Sequence, residues 1–482
     1  MIKLNVFIYK FRYDIILLAI FIIACALIEY CYPVAQFSWD GNYYVEHSIK
    51  LVPDIRPIGY PFFLKILYKI SPKLPFVVYS QFFIYFLSIY LFLLVLRKLF
   101  DVKNIAFFSL GVLLLIEPVA LYACFNILSD LLFTCLSILY FTSLLLYLRD
   151  QKRFFFFIHL ILLFFCLEVR LLALFYPFFS ILILMLFLKS RKIIFINSLL
   201  LFATFFADHE LNIRANYMQY GIPIHSAFSG WTQANNAMYA LPYIRDNGNK
   251  IKDPEIRKLY SFFKKYLDTT IFFANPASSD WMWDARSPMN IIRQKVEDSL
   301  GSLNINDQRY IKSLYILAPL YSKYGNYVET HYPFAYFKGF ILPNAQTLMT
   351  PHDGEMSDYY VGPPTNQDVL DRYRITQHMI FCRKQIYKNI LNKFDLFCYR
   401  ARLLLFLLSI AIFIYYMRIT DVNTQMLLVV SGIFISLFFS MMLYSSRFMP
   451  RYVLPILPLM TTFIFISIFN FIEINFKKRT LS

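Results

Sequence analysis

About ten apolar stretches of membrane-crossing length divide this chain, each close to the roughly 20 residues a helix needs to span a bilayer. They lie near residues 14–32, 75–96, 104–123, 130–148, 154–169, 171–188, 193–207, 402–417, 425–444 and 452–471. Only 16% of the 482 residues are charged and 59% are hydrophobic, whereas a soluble domain carries about a quarter charged residues. The expected fold class is an all-α polytopic membrane protein. The first run is longer than a signal-peptide core, and Glu29-Tyr30-Cys31-Tyr32-Pro33 offers no small-x-small cleavage site, so it reads as a retained anchor.

Charge placement tests that reading, because Lys and Arg gather in short cytoplasmic loops. With Lys3, Lys10 and Arg12 inside, ten crossings also put Arg97, Lys98, Lys103, Arg149, Lys152, Arg153, Lys189, Arg191, Lys192, Arg418, Lys477, Lys478 and Arg479 inside. Both termini are then cytoplasmic, and the net charge of +17 is largely a topology signal. The basic residues form no single patch of the kind nucleic acid requires, so nucleic acid is not an expected partner.

Three parts follow. Residues 1–207 form an N-terminal transmembrane module of about seven spans, with a long first external loop at 33–74. Residues 208–401 are polar, hold most of the glycines and fall outside. Their spread of aromatic and aliphatic residues predicts a globular, mostly helical cap, with amphipathic helices at 251–267 and 307–323. Turns are expected at 246–250, 351–354 and 361–366. Residues 402–482 form a C-terminal module of about three spans. Cys25, Cys124, Cys135 and Cys166 read as small buried hydrophobes, while Cys382 and Cys398 lie outside, where a disulfide can form.

Several ionisable residues sit where the topology disfavours them. Arg56, Arg170, Arg447 and Arg451 fall at external membrane ends, and a guanidinium there suits bidentate contact with a phosphate. Interfacial snorkelling is the plainer explanation for any one of them; four on one face favour a site for an anionic head group. Asp40, Asp54, Asp130, Glu168 and Glu117 accompany them. A carboxylate at a membrane edge can act as a general base, pair with an arginine or bind a divalent cation. Glu168 reads as the partner of Arg170, and Glu117 as either a buried structural acid or a site member. Asp208-His209-Glu210 offers His and carboxylate side chains to a metal, or is a solvated helix end. The chain shows no glycine-rich phosphate loop or Walker motif, so an ATP-driven pump is not expected.

Four stretches together resemble the GT-C superfamily of membrane glycosyltransferases, in the branch of protein O-mannosyltransferases and lipid A aminoarabinose transferases. They are Trp39-Asp40-Gly41-Asn42-Tyr43-Tyr44 with Arg56-Pro57-Ile58-Gly59-Tyr60-Pro61; Leu128-Ser129-Asp130-Leu131-Leu132-Phe133; Ile213-Arg214-Ala215-Asn216-Tyr217 continuing through Tyr220-Gly221-Ile222-Pro223 to Gly230 and Asn235-Asn236; and Arg451-Tyr452-Val453-Leu454-Pro455-Ile456-Leu457-Pro458. The resemblance implies inverting transfer of a sugar from a polyprenyl-phosphate donor to a lipid, glycan or protein acceptor of the cell envelope. Asp40 is then the catalytic carboxylate, supported by Asp130. Arg56, Arg170, Arg447 and Arg451 are donor-phosphate candidates, and Tyr43, Tyr44, Tyr60 and Glu117 are candidates for the substrate pocket. No cofactor is demanded; for a divalent metal the candidate ligands are Asp40, His209 and Glu210. Many relatives carry a second acid after the first-loop aspartate, where this chain has Gly41. A shared-carboxylate scheme is therefore not carried over.

Richness in Phe, Ile, Lys and Asn fits an AT-rich genome, and a bacterial inner membrane would make undecaprenyl phosphate the carrier. Two other readings use the same arginines. One is a transporter or flippase of lipid-linked sugars, although the chain lacks the paired halves typical of such proteins. The other is a glycan polymerase or ligase.

Overall fold

The computed structural model describes residues 11–32, 35–36, 39–52, 55–100, 104–249, 251–267, 278–301, 306–351, 373, 385–417, 421–446 and 449–481. Of the described residues 85% are helical, and none forms a strand. An isolated parallel bridge, Gln36 to Asn126, stands in its place. In order the helices are α1 Arg12–Cys31, α2 Trp39–Lys50, α3 Gly59–Ile70, α4 Leu74–Phe100, α5 Asn104–Leu115, α6 Pro118–Ala123, α7 Ser129–Asp150 and α8 Arg153–Val169. A 3-10 turn, Leu171–Phe175, leads into α9 Tyr176–Phe187 and α10 Arg191–Tyr220. The middle of the chain forms α11 Ala227–Ala240, α12 Pro254–Lys265, α13 Asp280–Trp283, α14 Pro288–Ser299, α15 Asn306–His331, α16 Pro333–Tyr336 and α17 Leu342–Met349. Last come α18 Gln385–Tyr416, α19 Val422–Leu443, a 3-10 stretch Pro450–Ile456 and α20 Leu457–Leu481.

Seven helical segments among the described residues are long and apolar enough to cross a membrane: Arg12–Cys31, Leu74–Leu99, Ser129–Asp150, Arg191–Tyr220, Asn389–Tyr416, Val422–Leu443 and Pro450–Glu473. The chain is therefore a multi-pass α-helical membrane protein. Burial separates the centre of the bundle from its rim. The apolar window of α7 is 78% buried, against 17% for α1 and α10. Ile22, Ile23 and Leu27 accordingly leave more than half their surface exposed, as side chains facing lipid tails do.

Several expected boundaries shift, each for a local reason. The run at 104–123 is broken, because Pro118 opens α6 and has no N–H to continue α5. The run at 171–188 starts as a 3-10 turn, and Pro177 sits in the first turn of α9. The run expected to end at 207 continues unbroken to Tyr220, where Gly221 at φ +78° supplies the left-handed residue that closes a helix. The helix expected from 402 already begins at Gln385. Both borders of the 208–401 segment thus fall inside helices.

A second core, distinct from that of the bundle, gathers Trp231, Tyr260, Phe263, Trp281, Tyr315 and Tyr321 from the middle segment. Both expected amphipathic helices occur here, as α12 and α15. Lys250, residues 352–354 and 361–366, and Cys382 lie outside the described residues, so the turns expected there and the Cys382–Cys398 pairing are not described. Helices α11 and α15 cross closely at Gly230, where a Cβ would lie 2.1 Å from the Ala318 carbonyl oxygen. Backbone cannot yield as a side chain can. Gly230→Ala is expected to cost about 1–3 kcal/mol by forcing the helices apart, read as a lowered midpoint of thermal unfolding; an unchanged midpoint would show that the crossing relaxes.

Candidate functional site

The loop after α1 is drawn onto the bundle by backbone pairing. Gln36 N–H donates to Phe125 O (2.8 Å) and Ile127 N–H donates to Gln36 O (3.1 Å). Gln81 of α4 reinforces the junction, donating to Cys124 O (2.7 Å) and Asn126 O (3.2 Å) while accepting from Tyr60 OH (3.0 Å). These contacts bring the segment after α1 beside the start of α7, and so bring Asp40 near Asp130.

Asp40 lies in the first turn of α2, and Arg56 donates to its Oδ1 at 2.7 Å. The Arg56 guanidinium also lies over the rings of Tyr43 (4.9 Å) and Tyr44 (5.5 Å). Tyr43 stacks on His47, and the Tyr44 hydroxyl is 3.0 Å from Ser129 Oγ, one residue before Asp130. Asp130, 4% exposed, takes a hydrogen bond from Arg170 and lies 3.9 Å from Arg451 Nε. Tyr452 faces both of these guanidiniums. Burial alone would raise the Asp40 carboxyl, but the charges of Arg56, Arg451 and Arg170 and the Arg56 hydrogen bond outweigh it and hold the group below the usual carboxylate range. Asp40 therefore stands ionised while keeping 36% of its side-chain surface open.

The four motif stretches thus contribute unequally. The structure brings together Asp40, Arg56, Tyr43, Tyr44, Asp130, Arg170 and Arg451. Arg447 and Asp54 lie outside the described residues. Tyr60 is fully buried beneath Tyr44 and bonded to Gln81, a packing position and not a pocket wall. Glu117 is buried at the α5–α6 break and bonded to Arg402 of α18, so it is a structural acid. Arg402 was not singled out from the sequence, since 285 residues separate it from its partner. It also borders an apolar groove of about 450 Å³ between α18 and α20, lined by Leu113, Phe397, Leu405, Ile464 and Ile468.

Glu168 does not pair with Arg170, which turns to Asp130; it faces Asn212 and Asp208 of α10 instead. The metal candidates do not converge. Asp40 is held by Arg56, Glu210 is exposed beside Arg214 (3.7 Å), and His209 stacks against His225. Among the described residues no group of three or more His, Cys, Asp or Glu side chains is placed to hold a metal ion. Arg214 of the third motif is exposed beside Glu210, while Asn216 holds the following loop by donating to Ile224 O (3.0 Å) and His225 O (2.8 Å). Ser129, Gln81 and Tyr452 were missed as site members; Tyr452 alone carried a signal, being an aromatic beside a misplaced arginine. No protein-family model, curated protein or solved structure matches the chain.

Proposed function

We propose that this protein is a GT-C-type glycosyltransferase of a bacterial inner membrane. It moves a sugar from a polyprenyl-phosphate donor, undecaprenyl phosphate being the carrier, to a lipid, glycan or protein acceptor on the external face. The chain crosses the membrane about ten times with both termini cytoplasmic, and the 208–401 segment caps the external site. One observation carries the reading: an ionised, partly open carboxylate stands within the field of three arginines at the mouth of a membrane bundle.

Each group then has a task. Asp40 takes the proton of the acceptor hydroxyl as its oxygen attacks the anomeric carbon. The bond from that carbon to the phosphate oxygen breaks with inversion, and the phosphate leaves with the electron pair. Arg170 and Arg451 meet the charge that develops on it. Asp130 takes the direct contacts of those two guanidiniums, leaving Arg56 as the hydrogen-bond partner of Asp40. Tyr43 and Tyr44 offer aromatic faces to the sugar. No step is routed through a metal, because the candidate ligands do not share a point.

Binding of undecaprenyl phosphate to protein in nanodiscs tests the donor half. Arg451→Ala and Arg170→Ala are each expected to weaken it about tenfold, the loss of one charge-assisted contact of about 1.4 kcal/mol. Wild-type affinity in both variants would remove these arginines from the phosphate site. Mass spectrometry of envelope glycolipids and glycoproteins, with and without the protein, identifies sugar and acceptor.

A further inference from the structure

Residues 333–349 run as one continuous helical stretch, through α16, a π turn at Phe337–Ile341 and α17. One side of it is packed inward, with Tyr336, Phe340 and Leu348 buried. The other side is apolar too, yet among the described residues nothing covers it. Phe334 leaves 77% of its surface open, Phe337 51%, Met349 48% and Leu342 42%. Half-buried Ile341 and Ala345 fill the row between them, at the three- and four-residue steps that keep side chains on one helix face. No acid interrupts the sequence between Glu329 and Asp353, and its one Lys or Arg is Lys338. An exposed apolar row of this length marks a contact surface.

The place of the row in the fold decides what covers it. Helix α17 is held against two segments that cross the membrane. Asn344 donates to the carbonyls of Met442 (3.3 Å), Leu443 (2.9 Å) and Ser445 (2.9 Å), where α19 stops. One turn later the Tyr399 hydroxyl of α18 donates to Leu348 O at 2.8 Å. Tyr399 stands just ahead of the charge-free run 403–417. The stretch therefore lies at the level where two apolar helices leave the bilayer. Close packing fixes which side faces out: a Cβ on Gly339 would lie 2.2 Å from the carbonyl oxygen of Tyr239 in α11. Beside Asn344, Met441 and Tyr444 are 40% and 50% exposed and carry the apolar surface on to the rim of the bundle. Lys338 turns its ammonium over the Tyr243 ring, 4.9 Å from the centroid, a cation and an aromatic of the kinds that gather at membrane–water boundaries.

We propose that residues 333–349 form an interfacial helix whose exposed row enters the lipid of the leaflet at that end of the bundle, with Lys338 and Tyr243 at head-group depth. The occupant is lipid and not a second protein, because the row is continuous with the exposed end of α19, which lipid already meets. A single long-stemmed cation on such a row also suits the phosphates of lipid head groups. Helices of this type lie about 5–10 Å into the boundary between head groups and acyl chains. The bilayer itself then holds the middle segment down, alongside the hydrogen bonds to α18 and α19. The row requires only the multi-pass fold, so its test stands apart from the transferase reading.

Wild-type protein in nanodiscs, with a phosphatidylcholine carrying a photoactivated diazirine high on its acyl chain, provides the test. Mass spectrometry of peptides after illumination should place adducts on the row Phe334, Phe337, Leu342 and Met349 as well as on the spanning helices, and leave the exposed face of α12 unlabelled. Brominated lipids give a second reading. The emission that Phe334→Trp or Phe337→Trp adds to that of the wild type should fall about twofold with bromines high on the chain, and less with bromines deep in it. Glu255→Trp, on α12, should keep its added emission. The first two substitutions keep an aromatic ring at an exposed position, so folding is not at stake. Adducts confined to the spanning helices would overturn the proposal, as would added emission at 334 and 337 that bromine leaves unchanged. Equal labelling of α12 would overturn it too, since the label would then report exposure alone. So would a wild-type dimer in detergent that Phe334→Glu combined with Phe337→Glu converts to monomer by light scattering, which would assign the row to a second copy.

Discussion

Asp40→Asn is expected to lower sugar transfer by roughly a hundred- to ten-thousand-fold, the range lost with a general base, while insertion and binding of undecaprenyl phosphate persist. The substitution is close to isosteric. An asparagine oxygen still accepts from Arg56, so the guanidinium keeps its place over Tyr43 and Tyr44, but the amide cannot take a proton from an acceptor hydroxyl. The wild-type pH profile follows from the same geometry. The carboxyl lies below the usual range, so transfer should show no acid limb above about pH 4, where ordinary aspartates begin to protonate. The linked stabilisation has the same sign: it is present above the unfolded carboxylate value and is lost as pH falls through the lower folded one. Full transfer by the asparagine variant would end the proposed role of Asp40. Transbilayer movement of lipid-linked sugar that survives Asp40→Asn, with no new glycosidic bond in the wild type, would point to a flippase.

A second large effect should come from Asp130→Ala. Its carboxylate stands between Arg170 and Arg451, whose side chains are only 24% and 16% exposed. Removing one partner of a buried pair costs about 3–5 kcal/mol, because the remaining charge is stranded. Partial exposure of the arginines places the expected loss near the lower end, about 3 kcal/mol. Asp130→Asn should cost less, since an amide oxygen still accepts a hydrogen bond. Urea or thermal unfolding in detergent measures the difference, and a loss below about 1 kcal/mol would mean that water screens both arginines. Because Asp130 is almost fully buried and Asp40 is not, stability should follow the first residue and turnover the second.

Membrane segments were legible in the sequence because apolar length is a property of single stretches. The same holds for Asp40 and Arg56, which lie one loop apart, and for the arginines that break the charge rule. Partners were less legible. Glu168 was paired with Arg170 on sequence proximity, but the turn after Val169 sends the arginine toward α7 while Glu168 faces α10. Glu117 reads from the sequence as either a buried structural acid or a site member, and the cation that decides between them comes from α18. Tyr60 sits in the same motif as Asp40 and Arg56, yet the helix starting at Gly59 turns it inward. Helix ends were misjudged for a related reason. Polarity begins at Asp208, but a helix stops only where backbone geometry changes, and Gly221 is where that happens.

That uninterrupted α10 has a mechanical consequence. Thirty residues make one rod of about 45 Å, and its far end hands the chain to α11 after a short connection. At the opposite border, Asn344 of α17 donates to the carbonyls of Met442, Leu443 and Ser445, while Asn236 of α11 donates to that of Tyr444. Among the described residues the middle segment is thus bolted to the bundle near both of its borders. A lipid-linked donor of the kind proposed would therefore have to slip in sideways between helices, in the plane of the membrane.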